Sequence, residues 1–455
     1  MSAGFDSSSP IVRRPSARII TRARLPDSAG AQQFAPAGAD RMSTVALLLF
    51  VLPLFGQTFY YFNQWPLPYF LSKGWPILML PFFVRGMTAD HLPARWLFVL
   101  MLSYMVGLTP IVSMIHFGNP FSDAVLTTIE IWPFVYYPAF LGLLLWLRPS
   151  DDTLRNCVVA LGLATYVLML VLWIVLPQAW YTSDTINEKF LIYEIERGYR
   201  IYMPMFFGML LVFYLARRFS ARMEWWTAAG IVACFVLMLM IYKQRTSVGS
   251  AAVVVALVGC PPHWRRVAAA AAGIAAAIGL FALLTTPVGE RVAEQLGGSL
   301  LVRINSLRSV SDYINDNALD WIFGLGTVTR FSNVTLGEVL GNKFFFLADL
   351  GWIGVIFKYG VVGALFVAAA YVAGWLISFR NGRALASPFA LALSDYILFV
   401  IVTTLVYSPT FLSGEMATVL AISVYLAHRS DIFGLATGQT GQVVRDSIVR
   451  RHSNL

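Results

Sequence analysis

Charge is scarce in this chain. Only 13% of its 455 residues are Asp, Glu, Lys or Arg, against about 25% in an ordinary soluble domain. So little charge cannot cover a water-facing surface, and with 58% hydrophobic residues the medium around the protein is lipid. Cysteine is also rare: Cys157, Cys234 and Cys260 lie in or beside apolar runs without paired spacing, so neither a disulfide framework nor a zinc site is indicated. Nucleotide motifs are missing as well. No P-loop is present, and Gly324-Leu325-Gly326 is no dinucleotide fingerprint, since no strand precedes it and its spacing is wrong. These gaps disfavour a primary pump. The apolar runs lack the alternation of barrel strands, which excludes a membrane β-barrel.

What the chain does have is a succession of apolar runs, each near the roughly 20 residues that cross a bilayer core. They fall at 43–62, 67–85, 96–116, 122–147, 156–177, 199–216, 225–242, 246–260, 267–286, 352–378, 386–407 and 411–427. The expected fold is all-α, a polytopic transmembrane bundle of about 12 spans with one large periplasmic loop between spans nine and ten. Residues 1–42 read as a disordered basic cytoplasmic tail, because their Ser, Ala, Pro and Arg cannot bury a core. Spans one to nine occupy 43–286, the loop 287–350, spans ten to twelve 351–428, and a second basic tail 429–455. The first apolar run follows a long tail and is expected to be a retained anchor, not a signal peptide.

The net charge of +9 could suggest nucleic acid, but its pattern is topological. With both termini in the cytoplasm, 21 of the 33 basic residues fall on the cytoplasmic side. Ten fall outside, five of them in the long loop: Arg291, Arg303, Arg308, Arg330 and Lys343. The expected location is a bacterial inner membrane. Loops this long inside a compact protein are usually functional. Leu300, Leu301, Ile304, Leu307 and Ile314 recur there at helical spacing and predict an amphipathic helix, which Asp320-Trp321-Ile322-Phe323-Gly324-Leu325-Gly326 then breaks.

Three outer clusters carry candidate chemistry. Tyr242-Lys243-Gln244-Arg245-Thr246-Ser247 forms a tight turn between two spans, and an arginine fork there suits a phosphate or pyrophosphate. The bland alternative is a cation snorkelling to the interface. Arg197 and Arg200 sit in Glu194-Ile195-Glu196-Arg197-Gly198-Tyr199-Arg200, where local Glu–Arg pairing is the competing explanation. Arg303 and Arg308 lie on the loop helix, either as a ligand site or as an ordinary surface face. Inside spans, Glu130, Lys358 and Asp395 must pair, face water or be neutral, because an isolated charge there costs about 2.5–3.5 kcal/mol. A Lys358–Asp395 or Lys358–Glu130 pair is expected to fix helix packing. Trp65, Tyr69, Trp180 and Tyr181 read as interface belt, with sugar stacking as the alternative.

Gln244-Arg245-Thr246-Ser247, Arg303, Trp321-Ile322-Phe323-Gly324-Leu325-Gly326 and Asp349-Leu350-Gly351-Trp352-Ile353-Gly354 together resemble the O-antigen ligase and Wzy-type polysaccharide polymerase superfamily, over about residues 195–378. The resemblance implies a metal-independent glycosyltransferase without cofactor. It would act at the periplasmic face on polyisoprenyl-pyrophosphate-linked glycan as donor and acceptor. Arg245, Arg200 and Arg303 would stabilise the departing pyrophosphate, with Lys243, Arg197, Arg308 and Arg330 binding substrate. Glu338 or Asp349 would activate the acceptor hydroxyl. Expected partners are the lipid-linked donor and acceptor, membrane lipids, a chain-length regulator and export proteins, with no nucleic acid. Ligases of that superfamily carry a histidine in the large loop, whereas His91, His116, His263, His428 and His452 all lie elsewhere, which shifts weight to a polymerase. Ligase and lipid-glycan flippase remain the alternatives.

Overall fold

A computed structural model describes residues 41–62, 65–89, 92–183, 190–195, 197–260, 298–314, 317–326 and 347–430. The expected span 267–286, loop residues Arg291, Arg330, Glu338 and Lys343, and the tails at 1–40 and 431–455 lie outside the described residues, as do the side chains of Arg303 and Asp349. In chain order the elements are α1 (Arg41–Phe55), α2 (Pro66–Met87), α3 (Arg95–Phe117), α4 (Phe121–Glu130), α5 (Trp132–Leu147) and α6 (Asp151–Val175). A hairpin of β1 (Leu191–Glu194) and β2 (Gly198–Ile201) comes next, then α7 (Phe206–Arg222), α8 (Trp225–Tyr242) and α9 (Arg245–Gly259). The chain continues through α10 (Gly298–Ile314), α11 (Ala318–Phe323), α12 (Gly351–Leu385), α13 (Pro388–Thr403) and α14 (Pro409–Ser430).

Six of these, α2, α3, α6, α8, α12 and α14, are long and apolar enough to cross a membrane, and α4 with α5 makes a seventh if the 62° bend between them lies within one span. Helices α9 and α13 are apolar but shorter. Local chemistry explains the starts. At α6, Ser150 accepts the Thr153 N–H at 3.1 Å while Asp151 and Asp152 sit in the first turn, against the positive end of the helix dipole. Pro388 occupies the first turn of α13, where its missing N–H is not needed, and Ser387 caps it. Aromatic rings dominate the core, with Phe55 packed edge-on to Tyr136 at 5.1 Å and Phe206 to Tyr396 at 5.1 Å.

One expectation needs correction. The span placed at 199–216 begins as strand, and the fold is therefore not purely helical: residues 199–201 belong to β2, and the helix opens only at Phe206. Leu191 pairs with Ile201, Ile192 with Arg200, Tyr193 with Tyr199 and Glu194 with Gly198. β-branched and aromatic residues favour the pleated surface, and Gly198 takes φ 66° where the chain reverses. Tyr199 and Ile201 are apolar enough to merge with the following helix in a hydropathy scan. The loop helix is present as α10, which buries Val310 and Ile314 against Phe117, Leu325, Leu347 and Phe357.

Buried charges pair across the bundle. Lys358 Nζ lies 2.6 Å from Glu130 Oε2, one of the two expected pairings. Asp395 is instead taken by Arg217, which donates through Nε and Nη2 at 2.5 Å each, a two-point fork between α7 and α13.

Candidate functional site

Three turns gather at the end of the bundle where α8 meets α9. Lys243 closes α8 with φ 53°, Gln244 is extended, and Arg245 opens α9, which places successive side chains in different directions. Lys243 points to the hairpin. Its Nζ donates to the carbonyls of Arg197 and Tyr199, both at 2.9 Å, and lies 5.5 Å from the Trp173 ring centre. Gln244 points inward. Its Nε2 donates to Tyr202 Oη at 3.0 Å and Tyr407 Oη at 2.9 Å, and its Oε1 accepts from Tyr242 Oη. One amide thus joins tyrosines from β2's exit, α8 and the turn before α14.

Those tyrosines line one cleft. Its walls also include Met205, Phe206, Ser247, Tyr396 and Glu415. Glu415, buried in the first turns of α14, accepts a hydrogen bond from Tyr396 Oη and has no cation within ion-pair distance among the described residues. A carboxylate inside an aromatic cleft can orient or deprotonate a hydroxyl. The tyrosine faces suit flat apolar surfaces such as those of sugar rings.

Arg200 and the 243–245 turn are brought together by the hairpin. Arg200 is buried and donates to Glu194 across the hairpin, with its Cζ 5.6 Å from the ring centre of Tyr202, a cleft wall. Its Nε is buried without a hydrogen-bond partner among the described residues. Arg197 shares Glu194 at 3.4 Å, so the local Glu–Arg pairing weighed for this pair is present. Arg245 is exposed at the start of α9 and is not part of the cleft wall. Arg308 is exposed on α10. Arg303 lies on α10 and Asp349 in the short helical turn Leu347–Leu350, both placed by backbone only.

Sequence reasoning passed over Glu415, Tyr396 and Tyr407. A glutamate in the otherwise apolar run 411–427 was the available signal, by the same logic that singled out Glu130 and Asp395. The tyrosines carried no such signal, because in sequence they look like any core aromatic.

A second polar locus is built from interrupted helices. The bend between α4 and α5 puts Glu130 at a break, and α12 breaks at Gly360, with φ 65° and ψ −178°. The Gly324-Leu325-Gly326 turn docks into the α12 break. Leu325 N donates to Phe357 O at 2.8 Å and Gly326 N to Lys358 O at 3.1 Å, while Tyr104 Oη donates to Tyr359 O at 2.9 Å. A Cβ on Gly324 would lie 2.5 Å from Gly360 N, and one on Gly360 2.1 Å from Ile322 O, so each glycine is demanded by the other's backbone. His116 at the end of α3 pairs with Asp320 of α11 at 3.4 Å and holds the same strap.

No protein-family model matches the chain, and no curated protein matches it.

Proposed function

We propose that this protein polymerises a bacterial exopolysaccharide or surface polysaccharide from polyisoprenyl-pyrophosphate-linked repeats at the periplasmic face of the inner membrane. The observation that carries this reading is the turn at 243–245. It joins a cationic hairpin, suited to pyrophosphate, to a tyrosine-lined cleft holding a carboxylate, suited to a sugar hydroxyl. In the reaction the acceptor oxygen bonds to the anomeric carbon, and the bond from that carbon to the phosphate oxygen breaks with its electron pair leaving on the pyrophosphate. Glu415 takes the acceptor's proton, a role for which Glu338 and Asp349 were the sequence candidates. Arg200, Arg197 and Arg245 stabilise the leaving group, with Arg303 and Arg308 contributed by the loop.

Twelve spans fit this arrangement. The six long helices and the bent pair, with α1, α7, α9 and α13, would account for eleven, and the expected span 267–286 lies outside the described residues. The 243–245 end then faces the periplasm and both termini the cytoplasm, consistent with the basic-residue count.

The test is Glu415→Gln in the native host, compared with a deletion. The variant should insert normally, lose high-molecular-weight polymer and accumulate lipid-linked single repeats on the outer leaflet. Normal chain lengths would overturn the assignment. Broken helices meeting at an intramembrane ion pair favour a second reading, a lipid-glycan flippase. In that case the deletion strain would trap single repeats on the inner leaflet, shielded from periodate added outside. Long lipid-linked chains would instead mark a ligase.

A further inference from the structure

We infer that Glu194 is an internal competitor for the anion site of Arg197 and Arg200: its carboxylate takes the position of a phosphate group and gives way when a pyrophosphate binds. Resting on the polymerase reading, this contact lowers the affinity for the leaving group and so helps to expel it after the glycosidic bond to it has broken.

The hairpin register builds the contact. Glu194 faces Gly198 across the strands, so Arg200, two residues further on, is its diagonal neighbour on the same face and within reach of a long side chain. Gly198 has no side chain to stand between them. Arg197 approaches from the turn. One carboxylate oxygen, Oε1, accepts from Arg200 Nη2, and the other, Oε2, lies 3.4 Å from Arg197 Nε. Two oxygens of one phosphate would meet two guanidiniums in the same way.

As a stand-in for such an anion, the carboxylate is incomplete. It brings a single negative charge to two guanidiniums. Lys243, whose Nζ is held by the carbonyls of Arg197 and Tyr199, adds a third cation with no carboxylate at ion-pair distance among the described residues. The Nε groups of Arg197 and Arg200 also have no hydrogen-bond partner among the described residues. A pyrophosphate carries more charge and more acceptor oxygens than a carboxylate, so the exchange runs in its favour.

Exposure identifies Glu194 as the part that yields. Its side chain is 26% exposed and that of Arg197 22%, whereas Arg200 is only 8% exposed. Of the two groups against the Arg200 guanidinium, the Tyr202 ring is fastened by Gln244 Nε2 at 3.0 Å. Glu194 instead ends its strand next to Ile195, which is 94% exposed. An anion therefore reaches Arg200 by taking the place of the Glu194 carboxylate.

The experiment uses the full chain in nanodiscs of zwitterionic lipid, with inorganic pyrophosphate as the probe and calorimetry as the readout. Glu194→Gln should bind about tenfold more tightly than wild type, because the competing charge-assisted hydrogen bond is gone. Glu194→Asp keeps the charge but is too short to bridge both arginines. It should bind about threefold more tightly, a gain that loss of through-space repulsion cannot supply. Arg197→Gln should weaken binding and so locate the probe. The same order of variants should hold for geranylgeranyl pyrophosphate embedded in the disc. The inference is overturned if pyrophosphate binds none of these proteins, or if neither Glu194 variant binds more tightly than wild type, the result expected of a carboxylate that only positions the arginines. An order seen with the soluble probe alone would overturn the lipid-borne ligand. Tightened binding with polymer of normal length in the Glu415→Gln host would retain the competitor and discard the polymerase reading, and unchanged binding with polymer lost in that host would do the reverse.

Discussion

Replacing Gly324 by alanine tests the interlock between the strap and the broken helix. Gly324 has φ 79° and ψ −179°, a region open essentially to glycine, and holding an L-residue there costs about 1–3 kcal/mol. The new Cβ would also stand 2.5 Å from Gly360 N and 2.6 Å from the Lys358 carbonyl carbon, both backbone atoms of a buried break. Such overpacking costs about another 1–3 kcal/mol. The total, about 2–6 kcal/mol, falls on two hydrogen bonds, Leu325 N to Phe357 O and Gly326 N to Lys358 O. The assay is hydrogen exchange in nanodiscs with a matched thermal scan. Exchange at Leu325 and Gly326 should accelerate at least thirtyfold, which corresponds to the lower end of that range. Gly74 in α2 is the control: a Cβ there meets nothing within 4 Å, so Gly74→Ala should be neutral or slightly stabilising. Gly324→Ala behaving like Gly74→Ala, with both amides still protected, would refute the interlock.

Asp395→Asn should destabilise the protein by about 3–5 kcal/mol, because Arg217 keeps a buried charge with half its fork gone; thermal unfolding reads the loss, and Asp395→Leu with Arg217→Leu should recover most of it. Lys243→Met removes two hydrogen bonds that fasten the hairpin and should speed proteolysis near the exposed Ile195 by roughly tenfold or more, measured by fragment mass. Gln244→Leu should cut polymer yield in the host while insertion is kept, since it unfastens Tyr202, Tyr242 and Tyr407 together; wild-type yield would exclude the cleft from function. In a cysteine-free background, a cysteine replacing Ile195 should react with an impermeant maleimide in spheroplasts and one replacing Arg222 should not, and the reverse would invert the proposed topology.

Helices were legible in the sequence wherever an apolar run was long, as in α6 and α13, although hydropathy set their starts at 156 and 386 and not at the caps Ser150 and Ser387. The turn at Lys243–Arg245 was legible for the same reason, since three polar residues interrupt two apolar runs. Pairing was not. Asp395 meets Arg217, 178 residues away, and hydropathy carries no term for which of several buried charges share a helix face. The hairpin was hidden because Tyr199 and Ile201 read equally well as strand or as helix start. Of the candidate arginines, Arg200 turned inward by strand alternation and Arg245 outward by its place on α9, a distinction that depends on backbone direction and not on residue type.

Helix α14 stands between the two polar sites as a wall one helix thick. Ser413 and Glu415 differ by about 200° around its axis, so the two loci are separated by about 10–12 Å of protein. Because the two contacts, Ser413 with Glu130 and Glu415 with the cleft, lie on opposite faces of one helix, a rotation of α14 that moves Glu415 in the cleft also moves Ser413 against the bend between α4 and α5, and the two loci cannot shift independently.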